Sequence, residues 1–235
     1  MSEALAFCRN WKNSIFMNHP IVDSLDGVTL VGGGPVTASQ LARARALAPR
    51  IVGADGGADR VLRLGAEPEA VIGDMDSISP AAKERLGGRL FPVGEQDTTD
   101  FDKALRAIAA PFVLGLGFAG ARSDHGLAVL NSLVRHPTRR CFILGPRDVT
   151  FLCPPELALD LPRGARLSLY PMGPVTGRSE GLRWPLEGLN FAPDGMIGTS
   201  NVVTGPVRLR FAAPKMLVIL PVRYLPEALR GCAVM

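Results

Sequence analysis

Lysine is scarce in this chain. Of 26 basic residues only four are Lys (12, 83, 103 and 215), which leaves 22 Arg. The arginines are scattered, with no block of five or more, so a polycationic nucleic-acid groove is not indicated. Cysteine is sparse as well. Cys8, Cys141, Cys153 and Cys232 form no C-x-x-C pair, and His19, His125 and His136 are dispersed, so no zinc-ligand spacing exists. Free thiols in a reducing cytosol are the simplest expectation. Long apolar runs are missing too. The stretches near 112–121 and 216–222 fall well short of the roughly 20 residues a membrane-spanning helix needs. The first 20 residues lack the continuous apolar core of a secretion signal. The expectation is a cytoplasmic protein with neither a membrane nor a nucleic acid as partner.

What remains is a globular composition. The 235 residues are 47% hydrophobic and 20% charged, with a formal net charge of +4, outside the range of disordered chains. Arginine suits bidentate phosphate contacts better than lysine, and a small phosphate-bearing ligand would account for a few of them. From residue 28 to about 136 short apolar strands alternate with helical segments. "GVTLVGGG" leads into "TASQLARARALA"; "RIVGADGGADRVLRLG" repeats the plan; "EAVIGDMDS" supplies a third strand. "TTDFDKALRAIA" and "SDHGLAVLNSLVRH" carry helical stripes, the second stopped by Pro137. Alternation of this kind predicts a parallel sheet with helices on its faces. Beyond about residue 138 the helical period disappears. "RRCFILG", "DVTFLC", "ARLSLYPM", "VTGRSEG", "GPVRLRFA" and "KMLVILPV" are short strand-like runs split by Gly and Pro, the pattern of an antiparallel sandwich or barrel. The expected fold class is α/β: a parallel-sheet nucleotide-binding domain over 1–138, then an antiparallel β-sandwich domain over 139–235.

Acidic residues recur at the ends of the expected parallel strands. Asp55 ends "IVGA", and Asp74 and Asp76 end "EAVI". Asp97 and Asp100 follow "RLFPV"; Arg122, Asp124 and His125 follow "FVLGLG". Ligands of open α/β sheets bind outside those carboxyl ends. Each residue has a plainer reading. Asp97–Thr99 and Asp124 also fit helix N-caps, and Asp55 fits a turn. Four such strand ends on one edge would repel without a counter-ion, and hard divalent cations take oxygen ligands while bridging to phosphates. Asp74 and Asp76 therefore read as part of a metal–phosphate site. The glycines of "VGGGP" and "ADGGAD" offer backbone N–H groups near helix N-termini, but neither fits a known phosphate-loop motif. His125 reads as an orienting residue, and His19 and His136 as solvated ones.

The ordered series "ADGGAD", "VIGDMDSI", "QDTTDFDKAL", "GFAGARSDHGLAVLN", "GLRWPLEGL" and "GTSN" resembles that of thiamine pyrophosphokinases over about residues 51–205. The resemblance implies transfer of a diphosphate from ATP to the hydroxyethyl oxygen of thiamine, leaving AMP, with Mg²⁺ as cofactor. It implies a homodimer with thiamine held between subunits. On matching positions Asp55, Asp74, Asp76, Asp97 and Asp100 would bind Mg²⁺ or surround the phosphates. Arg122 would face phosphate charge, and Asp124 would lie near thiamine and its attacking hydroxyl. Ser200 and Asn201 would contact the pyrimidine, with Trp184 packing nearby. Read without the resemblance, Trp184 fits a core or rim position and Ser200–Asn201 an ordinary turn. The sequence departs from the family pattern at Val202, at "GFAGAR" in place of a more glycine-rich turn, and in the first 27 residues. A Mg²⁺-dependent nucleotide or thiamine-phosphate hydrolase and a non-catalytic sensor of nucleotide or thiamine are the competing functions.

Overall fold

The computed structural model describes residues 20–120 and 122–233, so Cys8 and His19 lie outside the described residues. The first half runs β1 (Val22–Asp23), β2 (Val28–Val31), α1 (Ala38–Leu47), β3 (Arg50–Ala54) and α2 (Gly57–Arg63). It continues through β4 (Ala70–Gly73), α3 (Pro80–Leu86), β5 (Leu90–Pro92), α4 (Asp100–Ala107) and β6 (Ile108–Ala109). β7 (Val113–Leu116) and α5 (Ser123–Arg135) complete it. Local chemistry starts the helices. Thr37 and Gln40 form a reciprocal capping box on α1, Ser79 caps α3 ahead of Pro80, and Thr99 caps α4.

Six strands pair in parallel in the order β8-β7-β2-β3-β4-β5, β8 being Cys141–Leu144. Every residue of β2, β4, β7 and β8 is buried, as strands covered on both faces require. Strand order reverses between β2 and β7, which opens a crevice beyond their carboxyl ends. There the Gly32 N–H donates to the Leu116 carbonyl at 2.8 Å and the Gly34 N–H to the Gly117 carbonyl at 3.1 Å.

The strand in "RRCFILG" corrects the sequence reading. It was expected to open the antiparallel region, yet it pairs in parallel with β7. The reason lies in α5, which returns the chain across the sheet as a crossover and delivers four apolar residues to a position buried on both sides. Antiparallel pairing begins with β9 (Asp148–Leu152) against β8 and continues through β15 (Met216–Pro221) and β11 (Arg166–Pro171). β14 (Gly198–Phe211) pairs with β11 through its first part and with β10 (Glu156–Leu159) and β12 (Val175–Leu182) through its later part. β13 (Asn190–Phe191) closes that edge. The β half therefore forms two layers joined by β14. Leu167, Leu169 and Val218 pack with Leu157, Leu209 and Phe211 in one core, which also takes in Val31, Leu114 and Phe142 of the α/β half. A terminal helix, α6 (Leu225–Ala233), was not expected. It buries Leu225, Ala228 and Cys232, but Pro226 and Gly231 within it read as breakers in sequence. Among the described residues no helix is long and apolar enough to cross a membrane.

Candidate active site

β3 and β4 are neighbours, and the carboxylates at their ends meet. Asp55 is 2% exposed and adopts a left-handed backbone with φ +43°. Its Oδ2 accepts from the Ser77 N–H at 2.9 Å, while its Oδ1 is buried without a hydrogen-bond partner. Between Asp74 and Asp76, Met75 has φ +67°, and the Asp76 N–H folds back onto Asp74 Oδ1 at 3.3 Å. One carboxylate oxygen from each of Asp55, Asp74 and Asp76 lies within 4.8 Å of the other two. Gly73 permits the convergence, since a Cβ there would stand 2.8 Å from Asp55 Cβ and 3.0 Å from Asp100 Oδ1. The non-glycine residues with positive φ among those described are Asp55, Met75 and Ser200, all in or beside predicted site residues. Strain of this kind, about 1–3 kcal/mol each, persists where the surrounding structure enforces it.

Sequence reasoning passed over Lys103. Its side chain is 1% exposed, and its ammonium donates to Asp74 Oδ2 at 3.1 Å and Asp100 Oδ1 at 3.2 Å. Asp100 Oδ1 also accepts from the Asp74 N–H at 3.3 Å. The available signals were its place one helical turn after Asp100 and its rarity among so many arginines. Burial alone would lower the Lys103 pKa, but Asp74 and Asp100 outweigh it and raise the net value. Burial likewise pushes Asp74 up, and Lys103 with the Asp76 N–H brings the net value below the usual carboxylate range. Asp55 is raised, by burial first and then by Asp100 and Asp76 against the Ser77 donors. A buried carboxylate disfavoured as an anion, with one free oxygen, suits an added cation. With one oxygen from each of Asp55, Asp74 and Asp76 so close together, the group could hold a hard cation.

The other predicted residues are placed as follows. Asp97 is exposed on the loop before α4, its N–H donating to Glu95 at 3.1 Å, and it is not among the three clustered carboxylates. Arg122 and Asp124 form an exposed ion pair at 2.6 Å. Arg122 holds the Asp124 carboxyl down to about 2. Arg122, not Asp124, is the N-cap residue of α5, and no side chain caps that helix. His125 donates its N–H to Asp124 at 3.0 Å and is exposed. His136, expected to be solvated, instead lies with Nε2 2.7 Å from Asp102, an aspartate 1% exposed.

In the β half, Trp184 is 53% exposed with the Arg183 guanidinium 5.1 Å over its ring. Asn201 is 4% exposed, and its amide is spent on backbone. Nδ2 donates to the Trp184 carbonyl at 2.7 Å, and Oδ1 accepts from the N–H groups of Trp184 at 3.2 Å and Val202 at 2.8 Å. Ser200 is exposed, with φ +61°. A cavity of about 200 Å³ opens between Trp184, Phe191, Ile197, Thr199 and Asn201. A larger concavity of about 1040 Å³ lies along β12 and β14 among Arg178, Glu180, Arg208 and Arg210. It includes no predicted site residue, so the chemistry is not placed there. Cys141, Cys153 and Cys232 are buried free thiols, and burial pushes Cys232 up to about 12, so none of the three is poised as a nucleophile.

Comparisons with known proteins point the same way. Residues 42–143 match the family described as thiamin pyrophosphokinase, catalytic domain, and residues 156–216 match thiamin pyrophosphokinase, vitamin B1 binding domain. The chain is 32% identical over 185 residues to thiamine pyrophosphokinase 1 of Oryza sativa subsp. japonica, covering 64% of this chain and 70% of that protein. Its fold is similar to that of thiamin pyrophosphokinase from Candida albicans, with a TM-score of 0.70 at 16% identity over 86% of this chain and 92% of that one. The yeast thiamin pyrophosphokinase structure gives 0.70 at 14% identity, covering 91% and 95%.

Proposed function

The chain belongs to the thiamin pyrophosphokinase family, and we propose that it moves a diphosphate group from ATP to the hydroxyethyl oxygen of thiamine, releasing AMP. It is a diphosphotransferase. The observation that carries the detailed reading is the Asp55–Asp74–Asp76 cluster, with its unpartnered buried oxygen at the edge of the parallel sheet.

These three carboxylates would hold Mg²⁺, with Asp100 beside them against the Asp74 N–H and Asp97 on the loop that leads into α4. Bound there, the ion would neutralise charge on the transferring diphosphate. The chain's own groups do the rest. The Arg122 guanidinium is exposed and free to turn from Asp124 toward phosphate charge. Asp124, ionised throughout the neutral range, attracts the thiazolium cation and accepts the hydroxyl's hydrogen bond, which orients that oxygen for in-line attack. Trp184 and the cavity beside it receive the pyrimidine, with Ser200 at its rim and Asn201 fixing the Trp184 backbone.

We further propose a homodimer in which those β-half residues face Asp124 of the other subunit. In support, Leu127 on α5 and Trp184, Met196 and Ile197 in the β half are exposed apolar side chains that a second copy would cover. Buried free thiols fit a cytoplasmic location.

The deciding experiment follows AMP. It should form from ATP only when thiamine and Mg²⁺ are both present, and Asp74→Asn or Asp76→Asn should lower the rate about 100-fold or more while the fold is kept. AMP released without thiamine would mark a hydrolase, and wild-type rates in either variant would remove the carboxylates from the mechanism.

A further inference from the structure

An ammonium sealed among carboxylates at a cation-binding edge competes with the cation. Lys103 is buried to 1% exposure and donates to one oxygen of Asp74, from the end of β4, and one of Asp100, from the start of α4. A buried lysine is tolerated only when paired, so this one is held by the two carboxylates and they by it. The pairing makes the two Asp74 oxygens unequal. Oδ2 is taken by the ammonium, whereas Oδ1 meets only the Asp76 N–H at 3.3 Å. Asp100 Oδ1 receives two donors, Lys103 and the Asp74 N–H, and Asp100 stands outside the three-carboxylate group.

We propose that Lys103 is a positioning residue: its ammonium serves as a built-in counter-cation that assigns Asp74 Oδ1 to the divalent ion, withholds Asp74 Oδ2 and Asp100 Oδ1, and keeps the empty site in shape at the expense of metal affinity. The proposal rests on reading Asp55, Asp74 and Asp76 as metal ligands. Affinity of oxygen-ligand sites follows ligand charge and rigidity. Removing the ammonium leaves four neighbouring carboxylates with one less positive charge and frees two oxygens. The cation then binds more tightly, but to a carboxylate no longer held in one orientation. A compact point charge fits between two single oxygens where the planar fork of arginine suits a bidentate partner, which gives a reason for lysine here in an arginine-rich chain.

Binding and turnover should therefore move in opposite directions. The full chain without nucleotide would be titrated with Mn²⁺, free Mn²⁺ being read by electron paramagnetic resonance, for the parent, Lys103→Met, Lys103→Arg and Asp74→Asn; rates at saturating Mn²⁺ would follow. Lys103→Met should bind Mn²⁺ about tenfold more tightly while kcat falls about 100-fold. Lys103→Arg, keeping the charge, should stay within about threefold of the parent's affinity. Unchanged or weaker Mn²⁺ binding in Lys103→Met, or an unchanged kcat, overturns the proposal. If Lys103→Met does not fold alone, Mn²⁺ and not NaCl of equal ionic strength should restore its melting transition; no restoration overturns the proposal as well. A parent that binds no Mn²⁺, or whose binding survives Asp74→Asn, overturns the metal reading itself, a failure distinct from that of Lys103.

Discussion

Asp102 shows how much a single side chain can organise. It is 1% exposed, one turn from Arg106 on α4, and its carboxylate faces Arg106 at 3.2 Å, His136 at 2.7 Å and Arg135 at 3.7 Å. Burial would raise its pKa, but His136, then Arg135 and Arg106, bring the net value below the usual range. A carboxyl depressed in the folded state stabilises fully above its unfolded value, about 3.9, and loses that contribution as pH falls through the lower folded value. Asp102→Asn should cost about 1.5–3 kcal/mol at neutral pH, as for hydrogen bonds to a charged group, and should flatten the loss of stability below about pH 4. Urea unfolding across pH checks both. Asn201 is the second residue with a sharp expectation. Because its amide meets both a donor and an acceptor of Trp184, Asn201→Asp would set a carboxylate oxygen against the Trp184 carbonyl. Asn201→Asp and Asn201→Ala should both weaken thiamine binding about tenfold or more, leaving a backbone group unpaired at about 1–3 kcal/mol, with ATP binding nearly unchanged. Calorimetric titration of both ligands decides it, and equal losses would remove Asn201 from the thiamine side.

At the scale of elements, α2 packs against β2 so closely that side chains have no room. A Cβ on Gly57 would lie 1.9 Å from the Val31 carbonyl oxygen, and neither strand nor helix backbone can yield cheaply. Gly57→Ala should destabilise by about 1–3 kcal/mol or more, the range for overpacking, in equilibrium unfolding. Gly65→Ala is no neutral control, because Gly65 has φ +74°; Gly88→Ala, with open space around it and no positive φ, is. The amphipathic helices and glycine-bounded strands of the first half were readable because period and capping residues agree with the fold. The β8 pairing and α6 were not. A four-residue apolar strand looks the same in sequence whichever direction its neighbour runs, and Pro226 and Gly231 inside α6 read as breakers.

At the scale of the whole molecule, the exposed apolar side chains bear on assembly. Asp124 and Trp184 stand on different halves, and the exposed Trp184, Met196, Ile197 and Leu127 suit an isologous contact between two copies. Dilution should abolish activity in step with dissociation seen by sedimentation, and an active monomer would refute the shared site.

The chain's own order of residues determined that a parallel α/β half precedes an antiparallel one, and that Asp55, Asp74 and Asp76 gather at one sheet edge. Both follow from local rules: strand and helix periods are written within a few residues, and parallel strands present their carboxyl ends together. Only the tertiary structure decided what balances those charges and what the remaining polar groups face. Lys103 lies 29 residues from Asp74 in sequence, His136 34 from Asp102, and Asn201 17 from Trp184. Apart from Asp100, one turn before Lys103, nothing in the neighbourhood of any of them names its partner. Whether a polar side chain reaches solvent, another charge or a backbone amide is settled by which elements pack over it, and that is a property of the assembled layers.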